Sequence, residues 1–436
     1  MGVWTRHSDP RIEETLREAR IPGGPAVFVL PLPGYAKKYA SFATRFGSID
    51  NWFRLPDRPE PIRCPDGVAH FLEHQMFAQE DGDAFERFAA LGASANAFTS
   101  YTSTTYMFTA TENFGQALAH LLDFVQQPHF TDAGTAKERA IIQQEIRMYQ
   151  DHPGWRLRQM LHGALYREHP FRLDIAGSVE SVGAIATADL RLCYETFYHP
   201  ANMVVTVVGD VDPERVLADV AASLDRHPRG PWRAPERLLP EEPAGVAAHR
   251  VEEAMGIARP MVAVGWKEGD VPASGLPLVR RDLETEIGLD AIFGESSDLY
   301  RRLYEEGIAD AGFGADHFGE STFGATRVGG ETDRPEALVE AILAAARAAR
   351  RDGVPAEACD RLRRARLGDF IREWNAPEGL GQIVPSLHWV GVDLFTYGRA
   401  LEEVTAGAVA RRMAGHLDPE ACTVACIRPS RPDAAS

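Results

Sequence analysis

Residues 66–77 read Asp66-Gly67-Val68-Ala69-His70-Phe71-Leu72-Glu73-His74-Gln75-Met76-Phe77. The run has no proline and is apolar on nearly every side, so it is expected to form a helix buried on several faces, with Asp66 as its cap. On a helix His70 and His74 stand one turn apart, about 40° around the axis, and Glu73 lies on the same side. Two imidazoles four residues apart can bind Zn2+, and a carboxylate beside them can take a proton from an attacking water. This is the inverted form of the His-Glu-x-x-His arrangement. In a chain with 14 histidines such a pattern arises by chance in roughly a few per cent of comparable sequences, so a second element is needed.

That element lies in a second expected helix, Thr135–Gln150. Glu138, Ile141, Ile142, Glu145 and Tyr149 fall at the i, i+3, i+4, i+7, i+11 spacing of a buried stripe, so two carboxylates point where apolar residues belong. A buried carboxylate needs a metal, a cation or hydrogen-bond donors to stay charged. Glu145 as third zinc ligand meets that need and leaves a fourth position open for water. For Glu138 a salt bridge with Arg139 or Arg147 is an equal alternative.

Working outward, Ala26–Leu30 and Tyr39–Phe46 read as strands that a hairpin could join. The Thr, Tyr, Phe and Ser content of Asn96–Thr109 favours strands, and Asn113–Gln127 has helical spacing. Met203–Val208 is expected to be a core strand. Between His227 and Gly245 five prolines forbid regular structure, so a linker is placed at 229–245 between residues 1–228 and 246–436. A helix is expected from about Asp333 and Pro335 to Gly353. Thr187 through His199-Pro200 to the strand Met203–Val208 resembles Thr405 through Asp418-Pro419 to Cys422–Ile427, a hint of internal duplication.

Composition narrows the classes of function. At 436 residues the chain exceeds one ordinary domain, and 44% hydrophobic with 25% charged residues is globular. A formal charge of −17 argues against a nucleic-acid binder or a binder of anionic membranes, and no basic run appears. Five scattered cysteines do not suggest a disulfide framework, and Cys422 and Cys426 read as buried thiols on one strand face. Met1–Arg20 lacks the apolar core of a signal peptide, and no stretch of about 18 apolar residues could span a bilayer, so a cytoplasmic location is expected. His129, His152, His169 and His199 lie beside Pro or at turns and are read as structural.

Gly67–Phe77 closely resembles the zinc helix of the pitrilysin and insulinase-like metallopeptidases, which include mitochondrial processing peptidase. Asn96-Ala97-Phe98-Thr99 looks like the edge-strand segment that pairs with substrate backbone, and Glu138-Arg139 to Glu145 resembles the helix that gives the distal glutamate. The likeness runs from about Gly24 to Gly209 and points to the half-length bacterial members. It implies an α/β (α+β) fold of two homologous modules, each a mainly antiparallel sheet with helices on one face, forming half of a clamshell. It also implies one zinc per chain on His70, His74 and Glu145, Glu73 as general base, Glu138 steadying a ligand, and Asn96 and Ala97 binding an extended peptide. Phe77 stands where the family lines its substrate pocket, although its helical spacing from Phe71 and Leu72 also fits a core.

The second half departs from this pattern. Ser296–Gly307 looks like the region where family members carry the Arg and Tyr that hold the substrate carbonyl, but Tyr304 stands where Arg is expected. Arg301 or Arg302 could substitute, although an exposed basic helix face fits them better. The expectation is therefore a zinc endopeptidase subunit whose homologous partner, in a heterodimer, supplies those groups and which processes precursor or leader peptides. A non-catalytic scaffold subunit of the same fold is the alternative, and a zinc hydrolase of non-peptide amides is a third option.

Overall fold

The computed structural model describes residues 4–80 and 82–430, so Met1–Val3 of the N-terminal stretch lie outside it. The first sheet is built from β1 (Thr5–Asp9), β2 (Ile12–Arg20), β3 (Ala26–Pro31), β4 (Lys38–Thr44), β5 (Ser94–Thr99), β6 (Thr104–Ala110) and β7 (Met203–Gly209). Its spatial order is β1-β2-β3-β7-β4-β6-β5. The expected hairpin between β3 and β4 is therefore absent. β7 lies between them, parallel to β3 and antiparallel to β4. Every residue of β7 is buried, and so apolar a run is most stable in the middle of a sheet, with both faces covered.

The two faces of this sheet meet different helices. Ala40, Phe42, Phe108, Val205 and Val207 share a core with Phe71, Leu72, Leu118 and Leu121 of the helices Val68–Phe77 and Phe114–Gln126. Tyr39 and Phe28 alternate to the opposite face. There the helix Pro377–Trp389 passes so close that a side chain at Gly381 would overlap the Tyr39 ring. His388 from the same helix meets Phe28 edge-on at 5.0 Å.

A second sheet comprises β8 (Arg250–Met255), β9 (Met261–Lys267), β10 (Gly314–Gly319), β11 (Gly324–Glu331) and β12 (Cys422–Pro429), in the order β8-β12-β9-β11-β10. β12 is parallel to β8 and antiparallel to β9, as β7 is to β3 and β4. The five strands β3-β7-β4-β6-β5 thus recur as β8-β12-β9-β11-β10. The sequence echo also takes the same form twice, a helix, a short 3-10 turn at Pro200 or Pro419, and a core strand.

The compact units do not follow the chain as two simple halves. One comprises Met1–Arg147, Asp174–Leu239 and Ile371–Phe395; the other comprises Met148–Leu173, Pro240–Phe370 and Thr396–Ser436. The helix Pro153–Leu165 packs on β9 and β12, while Pro377–Trp389 packs on β4 and β7. Each long half therefore lends one helix to the other sheet. The proline-rich stretch also differs from its expectation, because Glu236–Arg237 forms a short strand with Trp52–Arg54. These two residues lie between Pro235 and Pro240 and keep their backbone donors, which is all a two-residue ladder needs. The five cysteines are free and buried, with the Cys64 and Cys193 sulfurs 3.6 Å apart.

Candidate metal centre

Two helices bring the chemistry together: α1 (Val68–Phe77) and α2 (Asp132–Gln150). α1 is buried at eight of its positions, as its apolar circumference predicts, and His70 and His74 remain partly open. Its entry differs from expectation. Gly67 takes the N-cap position at φ 90°, a left-handed conformation natural to glycine. Asp66 caps nothing there; its Oδ1 instead accepts from Asn51 Nδ2 at 2.7 Å. α2 begins three residues earlier than expected because Thr131 Oγ1 accepts from the Gly134 amide at 3.0 Å.

The stripe on α2 needs correction as well. Its buried column is Thr135, Ile142 and Ile146, while Ile141 is 45% exposed. Glu138 and Glu145 flank that column and are half-buried. Their ion pairs among the described residues are to histidines, not to Arg139 or Arg147.

Glu145 Oε1 lies 3.9 Å from His70 Nε2, and its Oε2 lies 3.5 Å from His74 Nε2. The donor atoms of all three residues fall within 4.8 Å of one another. Zinc held tetrahedrally by N and O ligands keeps neighbouring donors about 3.4 Å apart, so this triangle has the right size for the ion. His74 Nδ1 is 2.9 Å from Glu138 Oε1. A proton on Nδ1 donated to Glu138 leaves the Nε2 lone pair facing Glu145, the tautomer a metal ligand requires. His70 lacks that support: its Nδ1 is buried without a partner. The donor set fits zinc on geometry, and at His74 on tautomer as well.

The two imidazoles differ in their electrostatics. Burial, helped by His74, pulls His70 down to about 3, so its lone pair is free at neutral pH. Burial also works against charge on His74, but the Glu138 hydrogen bond and the charges of Glu145 and Glu73 outweigh it and raise the ring. Burial pushes Glu73 up, opposed by Thr99 and His74.

Glu73 has a partner that sequence reasoning passed over. Its Oε2 accepts from Thr99 Oγ1 at 2.6 Å. Thr99 ends β5, the outermost strand of its sheet, which among the described residues pairs with β6 alone. Asn96 and Phe98 on β5 are exposed, and the Ala97 amide is held by Asn96 Oδ1 at 2.9 Å. Phe77 is buried against Tyr106 and Phe124, and the partly exposed Phe85 stacks on it at 4.0 Å.

Three histidines read as structural cap the starts of helices, each just ahead of a proline: one 13-residue helix and two 3-10 turns. The side chains of His152, His169 and His199 accept from the amides of Trp155, Phe171 and Ala201. Tyr304 is 60% exposed on the helix Asp298–Glu305, and Arg301 pairs with Asp298 at 2.6 Å on the same exposed face.

The second unit holds another histidine and carboxylate cluster that the sequence did not suggest, Glu268, His317 and His416. Its oxygen is already taken, because Glu268 Oε2 pairs with Arg412 and lies 3.8 Å from Arg281 Nε. Thr326 Oγ1 contacts His317 Nδ1 at 3.0 Å and His416 Nε2 at 2.7 Å. Burial disfavours charge on Glu268, but the two guanidiniums more than offset it and hold the carboxyl low.

Comparison with known proteins accords with the fold. Residues 64–178 match the family described as Insulinase (Peptidase family M16), and residues 184–366 match the Peptidase M16 inactive domain. The chain is 38% identical over 419 residues to the uncharacterized zinc protease YmfH of Bacillus subtilis, covering 96% of this chain and 98% of that protein. A crystal structure of an M16-like peptidase from Alicyclobacillus acidocaldarius superposes with a TM-score of 0.91 at 38% identity, over 96% of this chain and 99% of that one. A Helicobacter pylori protease shares the fold at a TM-score of 0.82 and 18% identity, over 95% of this chain and 99% of that one. Pitrilysin shares it at 0.73 and 19%, with 98% of this chain covering 47% of pitrilysin. The chain belongs to peptidase family M16, the insulinase family, along nearly its whole length.

Proposed function

We propose that this chain is the metal-bearing subunit of a zinc-dependent endopeptidase that cuts extended, unstructured peptides, with removal of precursor or leader segments as its role. The observation that carries this reading is the donor triangle of His70, His74 and Glu145 with Glu73 beside it. Zinc bound there would supply Lewis acidity to the water and to the scissile carbonyl. Glu73 takes the proton of the attacking water and passes it to the leaving amine. Glu138 keeps His74 in the ligand tautomer through Nδ1. The open edge of β5 accepts an extended peptide as an added strand, with Asn96 and Ala97 at its centre. Folded surfaces cannot add a strand in this way, so flexible segments are the substrates.

The groups that hold the carbonyl oxygen come from a homologous partner subunit, because Tyr304 occupies the place where the family resemblance expects an arginine and Arg301 is paired to Asp298. The test is to purify the zinc-loaded chain alone and with any protein that co-purifies, then to analyse the cleavage of a peptide mixture by mass spectrometry. Cleavage by the pair and little by the chain alone supports the reading. Full activity of the monomer would remove the partner from it, and no cleavage by any zinc-loaded form would overturn it.

A further inference from the structure

We infer that Thr99 is a positioning residue for the general base: its hydroxyl holds one oxygen of Glu73 and so assigns proton transfer to the other. The inference rests on the peptidase reading above and concerns a residue to which that reading gives no role.

Proton accounting supports it. Thr99 Oγ1 lies 2.6 Å from Glu73 Oε2 and 3.2 Å from Thr104 Oγ1. Thr104 Oγ1 is also 2.9 Å from the Phe46 carbonyl oxygen, which can only accept, so the Thr104 proton is committed there. A hydroxyl carries one proton, and Thr99 can give its own to Glu73 or to Thr104. The carboxylate is closer and charged, and charge-assisted bonds are the stronger ones, so the Thr99 proton goes to Oε2. Oε2 thus carries the Thr99 hydrogen bond, which lowers its basicity relative to Oε1, and Oε1 is the better placed to receive the proton of the attacking water. The proton leaves the water oxygen, bonds to Oε1, and later leaves for the amine nitrogen, so Glu73 ends as it began.

The hold is stiff at both ends. Thr99 and Thr104 face each other across the β5–β6 ladder, which fixes the backbone. The β-branched side chain restricts χ1, so the hydroxyl points one way. The terminal torsion of a glutamate is otherwise broad, with the two oxygens free to exchange. Removing the hydroxyl leaves the Thr99 backbone fixed by its pairing with Thr104. A hydroxyl-free variant therefore tests orientation more than attachment.

Thr99→Val keeps the shape and removes the donor, and Thr99→Ser keeps the donor. In zinc-loaded protein, Thr99→Val is expected to lower kcat about 10- to 100-fold with KM and zinc affinity within about twofold of wild type. Thr99→Ser should recover most of the loss. Crystal structures of the zinc-loaded wild type and Thr99→Val give a readout that needs no activity. Glu73 should hold one orientation with Oε1 toward the histidines in the former and lose it in the latter. An unchanged single orientation of Glu73 in Thr99→Val overturns the inference whether or not any form cleaves peptides. So does a loss that appears in KM or zinc affinity, or one that Ser does not restore. If the wild type shows the expected orientation and cleaves nothing, the peptidase reading fails and the positioning of Glu73 stands.

Discussion

Both units of the molecule place two histidines and a carboxylate within ligand distance of one another on corresponding frames, yet the two clusters have opposite electrostatics. In the first, the ion pairs of Glu138 and Glu145 among the described residues are to histidines, and the cluster is half-open. In the second, Arg281 and Arg412 already neutralise Glu268, whose side chain is fully buried. Arg281 lies on the helix Gly275–Phe293, which follows β9 in the chain as α1 follows β4. Where one helix carries imidazoles ready for a cation, the other carries the cation itself. The repeated topology supplies a frame, and the charges placed on it decide whether a metal is wanted. A divalent ion entering the second cluster would have to displace two guanidiniums from a buried carboxylate, at a cost of several kcal/mol.

The hardest test of that contrast compares one ligand from each cluster. His70→Ala should lower bound zinc from about one per chain to near zero, because two remaining donors do not make a site, and hydrolysis should vanish with it. His416→Gln should leave zinc unchanged. Elemental analysis of the dialysed proteins decides the matter, and zinc lost from His416→Gln would mean that the second cluster is a metal site after all.

Next in size is the separation of metal from base. Glu73→Gln keeps the shape of the side chain and its Thr99 partner but cannot take a proton. Hydrolysis should fall about 10²- to 10⁴-fold with zinc still bound. A variant that cleaves at the normal rate would remove Glu73 from the proton path.

The second cluster has its own expected failure, in stability instead of chemistry. Glu268→Ala leaves the buried Arg412 without the carboxylate it pairs with, while Arg281 keeps Asp282 at 2.8 Å. Breaking a buried pair from one side costs about 3–5 kcal/mol, which urea denaturation would register while zinc at the first cluster is retained. A loss under about 1 kcal/mol would show that water reaches the guanidiniums.

How far the sequence went toward these sites depended on range. His70, Glu73 and His74 were legible because one helix turn sets their spacing, and Glu145 because it recurs at that spacing on a second helix. The same periodicity misjudged Ile141, since a stripe of spacing does not say which flank faces solvent. Helical pattern also could not say that Pro153–Leu165 and Pro377–Trp389 each cover the other half's sheet, because an amphipathic face does not name its partner. β7 went between β3 and β4 through pairings across more than 150 residues, which no local signal reports. Thr99 was in view as part of a strand, but its bond to Glu73 joins a sheet edge to a helix and has no sequence period. The repeat from Thr187 and from Thr405 was legible because each copy is local, a helix, a turn at proline and a strand.

The smallest effect sharpens the contrast most finely, because it leaves every zinc ligand in place. Glu138 is 2.9 Å from His74 Nδ1, on the side of the ring away from Glu145. Glu138→Gln can still accept that hydrogen bond through its amide oxygen, but it removes a negative charge from the neighbourhood of the ion and lowers the basicity of His74. Zinc affinity should weaken about 10-fold, the low end of what such supporting partners contribute. Competition with a chromophoric chelator measures it. Glu138→Ala should lose more than Glu138→Gln, because it also frees the ring to turn. If both variants bind zinc as tightly as the wild type, the negative field at the first cluster comes from Glu145 and Glu73 alone, and the difference between the clusters narrows to the arginines of the second.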